Sequence, residues 1–165
     1  MDYCKKITDV EAMKKASKKI SNNGRNMGMF GGVIGVLDGW LVKIKCPNSK
    51  RNKVTNFGSF YCRKGHCALN VQAIVDRNKM IIWCSVKCRS SEHDSTAFKS
   101  TSLYKTLIGT SSELLAHGFY FLGDSAYVIR PFLITVYDNA KHGTTEDAFD
   151  SHLSFSRIFI ECAFG

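Results

Sequence analysis

Asp38 lies in the middle of a near-continuous apolar run that extends from Gly32 to Ile44. Such a run predicts a strand that is buried on both faces of a sheet. Because a carboxylate is costly to bury unless it pairs with a cation or binds a metal, its presence here points to an ionic or catalytic site. The pair Asp38-Gly39 is also a strong signal for a hairpin, so a turn is the alternative.

Two more carboxylates belong to predicted elements of secondary structure. Asp124 stands at the C-terminal end of a strand predicted over residues 118–127, where ligands of α/β sheets gather. Its alternative role is to cap the turn at Ser125. Glu161 borders the apolar face of the last predicted helix, and a surface salt bridge with Arg157, four residues earlier, is its alternative role.

His93 and Asp94 stand where another helix is predicted to begin. Both side chains could assist chemistry at an acidic site. Capping explains Asp94 more simply, because Asp94 and Ser95 are residue types that favour the N-terminal cap of a helix.

The positive charge of the chain indicates a polyanionic partner. The net charge is +9 and the pI is about 9.3, which favours nucleic acid. No acidic residue occurs from Lys43 to Lys64, where basic and aromatic residues are interleaved in a way that suits a phosphate backbone with nearby bases. An idle charged loop is the alternative. The predicted DNA contacts are Lys43, Lys45, Lys50, Arg51, Lys53, Arg63 and Lys64.

The cysteine content bears on the cellular compartment. The chain has seven cysteines, an odd number, and its N-terminus lacks the apolar core of a signal peptide. We therefore expect free thiols in an intracellular, reducing compartment and no secretion. A zinc site built from Cys62, His66, Cys67, Cys84 and Cys88 is the alternative, although their spacing is not that of structural zinc sites. No apolar run approaches the roughly 20 residues that span a bilayer, so no membrane partner is expected.

The elements that would position the acids belong to one predicted domain. A basic amphipathic helix begins at a capping box over residues 8–11 and ends before Asn22. The strand around Asp38 and a hairpin formed by residues 67–76 and 79–86 predict a three-stranded meander.

A second helix is predicted from His93 onwards, followed by strands over residues 118–127 and 132–137 and by a closing helix. The order of these elements predicts an α/β fold, with one acid on the first long strand, one at the end of a later strand and one on the last helix. The inward face of the second helix is predicted to comprise Ala97, Phe98, Thr101, Tyr104, Leu107 and Ile108.

This arrangement of acids is that of a ribonuclease-H-like fold, an α/β fold with a mixed central sheet and flanking helices. Five short motifs occur in order and together resemble the DDE transposases of the PIF/Harbinger group, which includes Harbinger-derived nuclease-like proteins. The motifs span Gly35–Gly39, Arg63–Gly65 with Asn70–Ala73, His93–Ser95, Leu122–Tyr127 and Glu161–Gly165.

The resemblance implies that Asp38, Asp124 and Glu161 form a catalytic triad for phosphodiester cleavage or strand transfer. Carboxylate oxygens suit Mg²⁺ or Mn²⁺, and two such ions would assist an in-line phosphoryl transfer. His93 and Asp94 match family positions, as does Arg157, and would help to orient the site. DNA, a separate Myb-like DNA-binding protein and a nuclear location are implied in the same way.

The resemblance covers residues 30–165, so we expect an N-terminal helix and loop over residues 1–29 and an endonuclease domain after them. Trp40 and Leu41 stand where the family usually has a polar pair. The chain stops four residues after Glu161, and we expect a domain that is truncated at its C-terminus. The alternative function is a catalytically inactive, transposon-derived remnant that binds DNA or a protein partner.

Overall fold

The centre of the computed structural model is a mixed sheet. The structure describes residues 2–4, 10–21, 30–47, 57–137 and 139–165, and within them six strands are hydrogen-bonded in the order β1-β4-β3-β2-β5-β6. The strands are β1 (Asp2–Cys4), β2 (Val33–Lys43), β3 (Ala68–Val75), β4 (Ile81–Arg89), β5 (Tyr120–Leu122) and β6 (Leu133–Ile134). Strands β2, β3 and β4 form the predicted antiparallel meander, whereas β5 and β6 run parallel to β2.

Helices cover both faces of this sheet, which confirms the predicted α/β class and agrees with a ribonuclease-H-like fold. They are α1 (Val10–Ser21), α2 (Asp94–Lys99), α3 (Ser102–Gly109), α4 (Ser111–Ala116) and α5 (Thr145–Phe164), with a short 3₁₀ helix at Phe57–Phe60. Within the described ranges, none of these helices combines the length and the apolar character that crossing a bilayer requires.

Two apolar cores hold the layers together. On one face, Phe98 of α2 and Leu107 of α3 pack with Leu37 and Trp83 of the sheet. On the other face, buried residues of α5 pack against the sheet residues Val36, Val75 and Leu122, and the members from α5 are Leu153 and Ile160. Helix α1 contributes to both cores, through Met13 to the first and Ile20 to the second.

Asp38 lies inside strand β2, so the turn alternative for Asp38-Gly39 is wrong. Asp38 pairs in register with Ala73 and Gly39 pairs with Gln72, both of strand β3. Since neighbouring side chains of a strand point to opposite faces, Asp38 faces α5 and Gly39 faces α2. The apolar run forms a strand that pairs with the parallel β5 over its first residues and with the antiparallel β3 from Val36 onwards.

The helix predicted from His93 is interrupted after Lys99. Thr101 is fully buried, and its hydroxyl accepts a hydrogen bond from the Tyr104 amide at 3.1 Å, which starts helix α3 anew. The side chain of Ile108 is 48% exposed, so its predicted inward position is wrong. His93 occupies the N-cap position of α2, and the prediction that Asp94 or Ser95 caps this helix is also wrong.

Cys46 and Cys67 form a disulfide, which corrects the expectation that the thiols are free. The chain after β2 runs beside the start of β3, where the Ile44 amide donates to the Cys67 carbonyl at 2.9 Å, and this pairing brings the two cysteines to a Cα–Cα distance of 5.2 Å. That distance suits a disulfide. The bond also removes Cys67 from the candidate zinc ligands. Cys62, Cys84 and Cys162 are free.

Candidate metal centre

One guanidinium group joins two of the predicted acidic residues. Arg157 Nη2 donates a hydrogen bond of 3.2 Å to Asp38 Oδ2 and lies 3.7 Å from Asp124 Oδ2. The three side chains are mostly buried, with exposed fractions of 15% for Asp38, 27% for Asp124 and 20% for Arg157. The structure therefore brings Asp38 and Asp124 together around a shared positive charge.

The sheet topology explains why these two acids meet. Strand β5 runs parallel to β2, with Val36 opposite Leu122, so the residues that follow these positions emerge at the same edge of the sheet. Asp38 and Asp124 each lie two residues beyond this pair. Side chains at the carboxyl ends of adjacent parallel strands share one crevice.

Each carboxylate accepts from a backbone amide through one oxygen and directs the other oxygen towards the Arg157 guanidinium. Asp38 Oδ1 accepts a 2.7 Å hydrogen bond from the Gly39 amide, and Asp124 Oδ1 accepts one of 3.0 Å from the Ala126 amide. The predicted turn cap of Asp124 is therefore formed through Oδ1, and Oδ2 faces Arg157.

The environment of Asp38 disfavours the charged form of its side chain. Burial raises the pKa of Asp38 above its ordinary value, and the nearby Asp124 carboxylate acts in the same direction. The Arg157 guanidinium and the Gly39 amide oppose this effect on the pKa but do not cancel it. A carboxylate in this position is better stabilised by additional positive charge than by the guanidinium alone.

Glu161 lies on α5 one turn after Arg157, and its side chain is exposed. The alternative salt bridge between these two residues is not formed, since Arg157 points to Asp38 and Asp124 instead. Helix α5 is fixed at its start by Thr144, whose hydroxyl accepts from the Asp147 amide, and on its inner side by the buried Leu153.

The donor set of Asp38 and Asp124 fits a hard divalent cation, because two carboxylate oxygens without sulfur ligands suit Mg²⁺ or Mn²⁺. Both Oδ2 atoms approach the same nitrogen and therefore face one shared space. Among the residues that the structure describes, no group of three or more acidic, histidine or cysteine side chains is gathered at one point. The position of Glu161 as third ligand stays a prediction.

Behind the acids, a buried hydrogen-bonded network connects strand β3 to two site loops. Gln72 is fully buried; its amide donates to Asp94 Oδ1 at 3.0 Å and to Asn70 Oδ1 at 2.7 Å, and its carbonyl accepts from the Tyr127 hydroxyl at 2.7 Å. Asn70 also donates to Asp94 Oδ1, at 2.9 Å. Because Tyr127 ends the turn that begins at Asp124, this network ties that turn to the start of α2.

Gly39 is required by the close packing of this network. A Cβ atom at position 39 would lie 2.1 Å from Asp94 Oδ1 and 2.8 Å from Gln72 Nε2. The glycine after Asp38 therefore serves a close side-chain approach inside a strand.

Comparison with protein families places this geometry in context. A family model described as DDE superfamily endonuclease matches residues 37–165, a range that includes Asp38, Asp124 and Glu161. The chain belongs to the DDE superfamily endonucleases. Searches of curated proteins and of solved structures returned no match.

In this DDE superfamily endonuclease, part of the predicted DNA-contacting surface is gathered beside the disulfide. The exposed Lys43 ends β2 and the exposed Lys45 follows it, and the exposed Arg63 and Lys64 lie in the turn that leads to Cys67. Lys50, Arg51 and Lys53 lie outside the described residues. The hydrogen bond and disulfide at Cys67 hold the two described basic pairs on adjoining segments.

The roles of Asn70, Gln72 and Tyr127 in this endonuclease were not predicted from the sequence. Asn70 and Gln72 are two polar residues at alternate positions of an otherwise apolar strand, and that spacing could have indicated a shared buried face. Asp94, a predicted accessory residue, accepts hydrogen bonds from the side chains of Asn70 and Gln72. His93, the predicted accessory residue next to it, is exposed.

Proposed function

We propose that this chain is a divalent-metal-dependent DNA endonuclease that cleaves or joins phosphodiester bonds with Asp38, Asp124 and Glu161. The observation that carries the proposal is the approach of Asp38 Oδ2 and Asp124 Oδ2 to one cationic nitrogen, in a chain of the DDE superfamily endonucleases. Burial of both acids near each other is costly unless positive charge lies between them.

Each acidic residue has a distinct part in the proposed reaction. Asp38 and Asp124 would hold Mg²⁺ or Mn²⁺ through their Oδ2 atoms, while the Gly39 and Ala126 amides keep the carboxylates oriented. Glu161 would approach from α5 as the third acidic ligand. Two bound divalent cations supply activation of the attacking oxygen and stabilisation of the leaving oxygen in an in-line displacement.

The proposed substrate, DNA, agrees with the charge of the protein. Lys43 is the last residue of the strand that carries Asp38 and lies five residues beyond it, about 17 Å along an extended strand; Lys45 follows after the strand ends. Side chains alternate along the strand, so Lys43 leaves the sheet on the face opposite Asp38. A duplex that contacts Lys43, Lys45, Arg63 and Lys64 would therefore have to pass the end of β2 to place a phosphodiester at the acidic site. Such contacts are independent of base sequence and sensitive to salt.

Finer features of the proposal rest on the five motifs quoted above. They support a PIF/Harbinger-type transposase, a separate Myb-like DNA-binding partner and a nuclear location. Co-purification of a tagged chain with a Myb-like protein from nuclear extract would support the partner, and cytoplasmic retention of a fluorescent fusion would contradict the location.

Nicking of supercoiled plasmid DNA tests the catalytic proposal. We expect nicked circles with Mg²⁺ or Mn²⁺ and none with chelator, and we expect Asp124→Asn to remove the activity while it preserves the fold. Asp150→Asn, which changes an acid on α5 outside the site, is the matched control and should retain nicking. Equal activity of the wild type and Asp124→Asn would contradict the proposal, as would a wild type that binds DNA but never nicks it; the latter result would favour the non-catalytic remnant.

A further inference from the structure

Arg157 connects helix α5 to both Asp38 and Asp124. Its Nη2 atom serves both Asp38 Oδ2 and Asp124 Oδ2, at 3.2 and 3.7 Å. These are the same two oxygens that the proposed function assigns to a divalent cation. The guanidinium thus stands where ligand oxygens converge.

The guanidinium is held incompletely. Arg157 Nε is buried and has no hydrogen-bond partner within the described part of the chain. A buried donor without a partner destabilises the conformation that leaves it unpaired. The arginine side chain is also long and 20% exposed, so an alternative conformation directed towards solvent is open to it.

A divalent cation and this ion pair exclude each other. Mg²⁺ needs oxygen ligands at about 2.0–2.1 Å, and a cation at that distance from both Oδ2 atoms would occupy the space next to Nη2. Two positive charges at such short range would also repel each other. Cation binding therefore requires that the guanidinium moves away from the carboxylates.

We propose that Arg157 is a positioning residue that competes with the divalent cation: it neutralises Asp38 and Asp124 before the cation binds, and the cation displaces it. This inference rests on the proposed function, because it concerns the same acidic site. Because only molecules in which the ion pair is broken can bind the cation, the apparent affinity equals the intrinsic affinity multiplied by the fraction of such molecules. The displaced guanidinium becomes available to a phosphate group, for which its planar donor geometry is suited.

The direction in which Mn²⁺ affinity changes when Arg157 is replaced distinguishes competition from a purely supporting role. Removal of a competitor tightens cation binding, whereas removal of a residue that merely supports the carboxylates weakens it. In a variant that lacks the Arg157 guanidinium, Asp38 and Asp124 would repel each other without compensation. Without added metal, that variant should therefore unfold at a lower temperature than the wild type.

Calorimetric titration of the full chain with Mn²⁺ tests this inference. We expect Arg157→Gln to bind Mn²⁺ on the order of five-fold more tightly than the wild type or better, and to gain a larger increase in melting temperature when Mn²⁺ is added. Arg89→Gln, which removes an exposed arginine of β4, should match the wild type. Arg157→Lys, which keeps a charge but lacks the planar fork, should bind with intermediate affinity and serves if Arg157→Gln does not fold.

The outcomes also distinguish the inference from the proposed function. Mn²⁺ binding by the wild type that is lost in Asp124→Asn supports the metal site. If that holds and the Arg157 variants bind Mn²⁺ equally or more weakly than the wild type, only the inference is overturned. If the wild type and the folded Arg157 variants all fail to bind Mn²⁺, the proposed metal site is overturned together with the inference.

Discussion

The Tyr127 hydroxyl donates a 2.7 Å hydrogen bond to the side-chain carbonyl of Gln72, and both side chains are buried. This bond links the turn that contains Asp124 to the central strand next to Asp38. Burial raises the pKa of Tyr127 well above its ordinary value, and the negative charges of Asp94, Asp38 and Asp124 act in the same direction. The hydroxyl therefore stays protonated and remains a donor throughout the physiological range.

Replacement of Tyr127 by phenylalanine should destabilise the fold by about 1–3 kcal/mol, because the Gln72 carbonyl would be left buried without its donor. Urea unfolding monitored by tryptophan fluorescence measures this change. Tyr137→Phe is the matched control, since Tyr137 is 55% exposed, and should change the free energy of unfolding by less than about 0.5 kcal/mol. Equal stability of Tyr127→Phe and the wild type would show that the bond contributes nothing.

Substitution of Gly39 by alanine should separate Asp94 from Gln72, because the added methyl group would overlap Asp94 Oδ1. We expect a loss of about 1–3 kcal/mol, typical of overpacking a tight site, together with weaker Mn²⁺ binding by the adjacent Asp38. Gly109→Ala adds a methyl group at a position with no neighbouring atom within 4 Å and is the control. Thermal unfolding and calorimetry compare the two variants, and an unchanged melting temperature in Gly39→Ala would refute the packing argument.

The raised pKa of Asp38 predicts a specific dependence of stability on pH. The folded protein holds this proton at pH values where the unfolded chain has already released it, so folding is favoured at low pH. That contribution is lost as the pH rises from the ordinary carboxyl range through the raised pKa of the folded state. The free energy of unfolding of Asp38→Asn, relative to the wild type, should therefore increase with pH in buffer that contains chelator.

Urea unfolding at a series of pH values from 4 to 8 tests that dependence. Glu113→Gln, which changes an exposed acid on α4, is the matched control. If the free energy of unfolding of Asp38→Asn minus that of the wild type decreased as the pH rises, the raised pKa of Asp38 would be contradicted.

The basic surface beside the disulfide predicts a salt-dependent effect on DNA binding. Replacement of Lys43 and Arg63 by glutamine should weaken binding of duplex DNA at all sequences and reduce the slope of log K against log salt by about one for each phosphate that is no longer neutralised. Lys99→Gln and Lys105→Gln change exposed lysines on α2 and α3 and should leave the slope unchanged. Fluorescence anisotropy at several salt concentrations measures both; a double variant that follows the wild-type salt curve would remove this surface from the interface.

Much of the fold was predictable, because the spacing of apolar residues indicates which segments are strands or helices and their order along the chain indicates the fold class. The meander, the strand that leads to Asp124 and the long final helix were all predicted, and the parallel pairing of β5 with β2 then brings Asp38 and Asp124 to one edge. Strand β1, helix α4 and the division of the helix predicted from His93 into α2 and α3 were missed. The division depends on the buried Thr101 hydroxyl, a tertiary effect with no strong local signal.

The site was predictable only in part, since sequence separates residues that the fold joins. Arg157 was expected either to pair with its helical neighbour Glu161 or to help orient the acids. One of its partners in the structure, Asp38, is 119 residues away in the sequence. Two half-buried carboxylates attract a guanidinium more strongly than one exposed carboxylate, so tertiary burial decided the pairing. The Cys46–Cys67 disulfide likewise depends on strand pairing that spacing does not reveal.

The most direct test of the central claim is a crystal structure of the protein with Mn²⁺ and a DNA oligonucleotide, measured at the manganese absorption edge. We predict anomalous peaks within ligand distance of Asp38 Oδ2 and Asp124 Oδ2, with the Glu161 carboxylate turned towards them and Arg157 moved away. Manganese bound elsewhere, or an acidic pair still closed on Arg157 at saturating Mn²⁺, would contradict the account.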